Sequence, residues 1–155
     1  QLREDPTSRR ILINLWNPSV IDQCALPPCH VIYQFRVRPF AEPDAEGRRG
    51  YLDCHLFQRS WDVFLGWNTT TAALWVYLLA ASTDLLPGVL VHSVTDAHLY
   101  QTHLEEARQT VARRARPLPR LTVTTPRLDP SQYRWTDLRL EDYYPLPAVT
   151  AEMVV

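Results

Sequence analysis

The chain has 155 residues, 46% of them hydrophobic and 21% charged, with 16 basic against 17 acidic side chains. Such a balance excludes the basic footprint of a DNA-binding protein and any attraction to an anionic membrane surface. The longest apolar run, 72–82 (AALWVYLLAAS), is too short to span a bilayer, and no signal-peptide pattern precedes it. Cys24, Cys29 and Cys54 form no CxxC, and no histidine stands at metal-finger spacing. The expectation is no disulfide framework, no metal site and a reducing, cytoplasmic setting. The chain opens on Gln1 rather than Met, so it is expected to be part of a longer protein.

Residues 8–16 (SRRILINLW) fit helical and extended spacings alike, and Asn17-Pro18-Ser19 breaks them. Residues 19–24 read as a short turn or helical piece. Alternating β-branched and aromatic residues predict a strand over 29–37 (CHVIYQFRV). A long Pro/Gly-containing hairpin loop at 41–49 leads to a return strand over 51–60 (YLDCHLFQRS). An apolar helix is predicted over 69–83, with Thr69, Thr70 and Thr71 as capping candidates and Pro87-Gly88 closing the region. Residues 90–93 read as a buried strand, and 97–115 as an amphipathic helix stopped by Arg116-Pro117. Residues 121–125 read as a further strand, followed by a Pro-punctuated tail. With no repeat and no linker, one α+β domain over 1–155 is expected, its sheet mostly antiparallel or mixed and packed with helices.

Four patches carry polar chemistry. Arg9-Arg10 are either solvated charges or a pair that clamps a phosphate through two guanidinium forks. Cys29 is either a small buried hydrophobe or a thiol whose angle is set by Pro27-Pro28, with His30 beside it. Gln58-Arg59-Ser60-Trp61-Asp62 sits at a strand end and runs on to Leu65-Gly66-Trp67-Asn68. Asn68 has the donor and acceptors to read a uracil-like edge, and it also suits a helix N-cap. His98 and Tyr100 share one face of an extended piece and suit a sugar hydroxyl. The same stretch also fits a helix start capped by Asp96.

In this order, LPPCH (26–30), QRSxDxFLG (58–66) and DAHLY (96–100), downstream of the arginine pair, resemble the thymidylate synthase family over nearly the whole chain. That resemblance implies an α+β fold with one sheet face forming a homodimer interface. It also implies transfer of a one-carbon unit from methylenetetrahydrofolate to dUMP. Cys29 would add to C6 of the pyrimidine, and Asn68 would read the uracil edge, with His30 and Gln58 as supporting groups. Arg59 and Ser60 would hold the 5′-phosphate, reached by Arg9 and Arg10 from the partner copy. His98 and Tyr100 would hold the 3′-hydroxyl. Asp62, Leu65, Gly66 and Val155 would serve the folate side, Asp62 also the catalysis.

Several positions depart from the family pattern. Trp67 directly precedes Asn68 where a Pro-Phe pair is usual, Ser93-Val94-Thr95 replaces Gly-Gly, and Leu146 stands for the tail histidine. The family's N-terminal part, with an arginine loop and a glutamate, is missing from these residues. Most departures fall on the folate side. They leave two further possibilities: a pyrimidine nucleotide 5-hydroxymethylase, in which water attacks the exocyclic methylene, and a catalytically silent nucleotide-binding relative.

Overall fold

A computed structural model describes residues 1–152 and Val154. Val155, expected on the folate side, lies outside the described residues. The predicted hairpin is present as β2 (His30–Pro39) and β3 (Gly50–Asp62). Its register sets Tyr33 opposite Leu56 and Phe35 opposite Cys54. Alternation therefore turns Tyr33, Phe35, Leu52, Cys54 and Leu56 to one face, where all are buried. The ambiguous N-terminal segment supplies a short strand, β1 (Leu12–Asn14), antiparallel to β2.

Helix α1 (Trp67–Ser82) lies on that buried face. Ala72, Val76 and Ala80 recur every four residues, and their small side chains let the helix approach Leu52 and Leu56 closely. Truncating either leucine to Ala is expected to cost about 2–5 kcal/mol. The helix starts two residues before the predicted position. Gly66, at φ +58°, is the N-cap, a left-handed conformation that glycine adopts without the penalty of a Cβ. Asn68 is therefore inside the first turn and is not the cap. The three threonines do not cap the helix either: Thr69 bonds His92, and Thr71 donates back to the carbonyl of Trp67.

β4 (Leu86–His98) differs most from expectation. The buried strand predicted over 90–93 is a long edge strand, with Val89 and Val91 56% and 50% exposed. It pairs in parallel with β3 from Tyr51↔Leu86 to Asp62↔His98, and α1 supplies the crossover that a parallel pair requires. The sheet is accordingly mixed, in the order β1-β2-β3-β4. Pairing with β3 holds Thr95, Asp96 and His98 extended, so the helix predicted over 97–115 is only α2 (Leu104–Val111), entered through a single 3₁₀ turn. β5 (Arg120–Val123) pairs antiparallel with β6 (Leu138–Glu141), a strand not expected from the sequence because its alternation, LRLE, lasts only four residues within a Pro-punctuated tail.

Among the described residues no helix or strand covers the sheet face away from α1. Arg9, Gln34, Arg36, His55, Val89 and Val91 surround a shallow cavity there of about 620 Å³.

Candidate functional site

Two chain segments meet where β2 begins and β3 ends. The Arg59 backbone N–H donates to the carbonyl of Cys29 at 2.9 Å, which locks the segments together. The Arg59 guanidinium then wraps the proline corner, Nε donating to the Pro28 carbonyl at 3.0 Å and Nη2 to the Pro27 carbonyl at 2.8 Å. Nη2 also lies 3.8 Å from Cys29 Sγ. The prolines thus do more than stiffen the cysteine's approach: their carbonyls anchor a cation beside the sulfur. The indole of Trp16, 5.6 Å from the guanidinium carbon, backs that cation from the other side. Sequence reasoning missed Trp16, whose only cue is an aromatic just after an apolar run.

The three cysteines have three environments. Cys24 is exposed, Cys29 half-buried and Cys54 buried. Burial pushes the Cys54 thiol up to about 12, which makes it a packing residue with no thiolate at neutral pH. Only Cys29 pairs partial exposure with an adjacent guanidinium.

Behind the corner, Gln58 is opposite His30 in the ladder and is 1% exposed. Its carboxamide Nε2 donates to the Ser60 carbonyl at 2.7 Å, and Oε1 meets His92 Nε2 at 3.0 Å. His92 Nδ1 is 2.9 Å from the Thr69 hydroxyl on α1. His92, absent from the sequence expectations, therefore links β3, β4 and the helix that carries Asn68. Burial lowers its pKa from the ordinary imidazole value. The rings of His30 and Tyr33 meet edge to face at 5.9 Å, and His30 Nδ1 is buried without a partner among the described residues.

Three residues beyond Arg59, at the last position of β3, Asp62 is paired with His98 across the parallel ladder. His98 and Tyr100 stack edge to face at 5.2 Å, so the extended reading of that motif holds and the Asp96-capped helix does not. Asp62 Oδ1 accepts from the Phe64 N–H at 2.9 Å, shaping the turn that contains Leu65 and Gly66. Its other oxygen, Oδ2, faces His103 Nδ1 at 3.7 Å. His103, 1% exposed, donates through Nε2 to the Glu152 carbonyl at 2.6 Å and so ties the C-terminal tail to this end of the sheet. Sequence reasoning missed His103 too, since its acceptor is 49 residues away.

Cys29, His30, Gln58, Arg59 and Ser60 are thus assembled at one end of the β2–β3 hairpin, and Gln58 is linked through His92 to the first turn of α1. Asp62, His98 and Tyr100 cluster at the end of the β3–β4 ladder. Leu65 and Gly66 form the turn into α1, and Trp67 beside them is 70% exposed. Arg9 and Arg10 are exposed just before β1, Arg9 beside the uncovered sheet face, and no hydrogen bond described joins either guanidinium to Cys29, Arg59 or Ser60. Among the described residues no group of three His, Cys, Asp or Glu side chains could hold a metal ion. No helix described is long and apolar enough to cross a membrane.

A family model described as thymidylate synthase matches residues 1–155. The chain is 48% identical over 155 residues to a bifunctional dihydrofolate reductase-thymidylate synthase of Acanthamoeba polyphaga mimivirus, covering 99% of this chain and 28% of that protein. It is 40% identical over 159 residues to a thymidylate synthase of Mycoplasma pneumoniae, covering all of this chain and 51% of the relative. The chain therefore spans about half, or less, of the length of these relatives.

Proposed function

Since the chain belongs to the thymidylate synthase family, we propose that it carries the nucleotide-activating part of a dUMP methylation reaction that uses methylenetetrahydrofolate. The observation that carries this reading is the Cys29–Arg59 corner, a half-buried thiol with a guanidinium nitrogen 3.8 Å from sulfur. C5 of uracil is a poor nucleophile. Addition of the Cys29 thiolate to C6 converts the ring to an enolate, which attacks the folate's one-carbon unit through C5. Loss of the C5 proton, with cleavage of the bond between the transferred carbon and the folate nitrogen, then releases tetrahydrofolate and leaves an exocyclic methylene on the cysteine-bound ring. Hydride transfer from tetrahydrofolate to that methylene completes the methyl group, expels the Cys29 thiolate, restores the ring and leaves dTMP and dihydrofolate.

In this reading Arg59 and Ser60 receive the 5′-phosphate. Arg59 spends Nε and Nη2 on backbone carbonyls, which fixes its plane and leaves Nη1 without a hydrogen bond among the described residues, able to meet the anion. Asn68, whose side chain makes no hydrogen bond described, offers its amide to the uracil edge. His30 and Gln58 support the base, while His98 and Tyr100 take the 3′-hydroxyl. Asp62, Leu65, Gly66 and Val155 serve the folate. A second copy would cover the apolar and arginine-rich open sheet face, bringing Arg9 and Arg10 to its partner's phosphate. A cytoplasmic setting suits both the thiol and the substrates.

The test supplies the protein with dUMP and methylenetetrahydrofolate, weighs the nucleotide product and follows dihydrofolate absorbance, with Cys29→Ser as control. A methyl product with stoichiometric dihydrofolate is expected. A hydroxymethyl product without dihydrofolate would reassign the protein to the hydroxymethylases, with water admitted beside exposed Trp67. Bound nucleotide with no product would leave a silent relative.

A further inference from the structure

His92 occupies a position where three elements meet, and its hydrogen bonds have a direction that can be worked out. The Ser60 carbonyl only accepts, so the NH₂ end of the Gln58 carboxamide must face it. Oε1 of Gln58 is left facing His92, so His92 Nε2 must carry the hydrogen and donate. The remaining nitrogen, Nδ1, is then a bare lone pair, and the Thr69 hydroxyl donates to it. The chain Thr69 → His92 → Gln58 → Ser60 runs one way through a single neutral tautomer. Desolvation, which holds the imidazole below its ordinary pKa, keeps it in that neutral form. Trp61 packs edge to face on the ring at 5.2 Å and blocks its rotation.

We infer that His92 is a positioning residue for the nucleotide site: as the Nε2–H tautomer it holds the Gln58 carboxamide and the first turn of α1, which presents Asn68, in one arrangement. The inference rests on the reading of Gln58 and Asn68 as base-side residues. Gln58 is almost fully buried, so losing its only described Oε1 donor leaves an acceptor that neither water nor another described side chain satisfies. The carboxamide would then turn, and Ser60 and the helix start would lose their shared reference. A purely structural histidine at this position would need only its ring volume against Trp61.

Substitutions separate those roles. His92→Phe keeps the ring and its packing but removes both hydrogen bonds. His92→Gln puts an amide donor near the Nε2 position and restores the bond to Gln58. Affinity for dUMP, measured by calorimetry on the full protein, is expected to fall about tenfold in His92→Phe and to return to within about threefold of wild type in His92→Gln. The ring ¹⁵N shifts of the wild type should show a protonated Nε2 and a bare Nδ1 at neutral pH. Unchanged dUMP affinity in folded His92→Phe overturns the inference, and so does the opposite tautomer. If the wild type binds no dUMP, the function proposed above fails on its own. The Gln58 side-chain amide resonances then decide the positioning claim. One sharp, slowly exchanging pair that collapses in His92→Phe upholds it, and an identical pair in both proteins overturns it.

Discussion

The two ends of the candidate site are held in different ways. At the Cys29–Arg59 end, backbone does most of the holding: the ladder of β2 and β3, the Arg59 N–H on the Cys29 carbonyl, and guanidinium bonds to two proline carbonyls. At the Asp62–Glu152 end, one buried imidazole joins a strand terminus to a tail without regular structure. The nucleophile's surroundings are therefore redundant in their supports, whereas the tail is held by two isolated side-chain bonds, His103 to the Glu152 carbonyl and Arg113 to the Pro147 carbonyl. This division fits the proposed chemistry, because a thiol that adds to C6 needs one fixed angle. A folate that enters and leaves needs a segment that can let go.

Substitution at the corner tests the first half of the comparison. Arg59→Leu should reduce one-carbon transfer by about a thousandfold or more, since it removes the cation beside sulfur and the proposed phosphate contact together. Arg59→Lys should recover little of this, because a point charge cannot span both proline carbonyls as the fork does. Steady-state kinetics of both variants would check it.

A smaller, divided effect is expected at the other end. His103→Ala opens a buried cavity and orphans the Glu152 carbonyl, a loss of about 2–4 kcal/mol by denaturant titration. His103→Phe fills the volume without the hydrogen bond. Its amide exchange should quicken only near 150–152, and the KM for folate should rise while dUMP affinity stays within about twofold. Equal losses on nucleotide and folate would dissolve the distinction between the two ends.

The smallest effects concern acid stability. Asp53, held low chiefly by its hydrogen bond from Arg38, supports the sheet. Asp137, held low chiefly by Arg127, supports the β5–β6 unit. Both carboxyls lie below their unfolded values, so each contribution is complete above the ordinary carboxylate range and is lost as pH falls through the depressed value. Asp53→Asn and Asp137→Asn should each lower the melting temperature above the carboxylate range and converge on the wild type at low pH, which flattens the acid limb of the profile.

The same contrast governs what could be read from the residues alone. The β2–β3 hairpin and α1 were legible because alternation and helical apolar spacing are local signals, and Cys29 and Arg59 were legible because each sits in a compact motif. β4 was not, because Pro87-Gly88 looks like an ending. Its true partner is a parallel strand beyond a helix, where Gly88 lets the backbone pass close to the Leu52 carbonyl. α2 was overextended because 97–98 look helical until β3 claims them. His92 and His103 were silent because their partners, Gln58 and Glu152, lie 34 and 49 residues away. Long-range hydrogen bonds to imidazoles leave no periodic trace.

Release of tritium from dUMP labelled at C5 reports on addition by Cys29, since that proton departs only after a nucleophile has added at C6. Release is expected from the wild-type protein in the presence of methylenetetrahydrofolate, and release reduced to background in Cys29→Ser. Undiminished release in Cys29→Ser would contradict that role, since the nucleophile would then have to be another group.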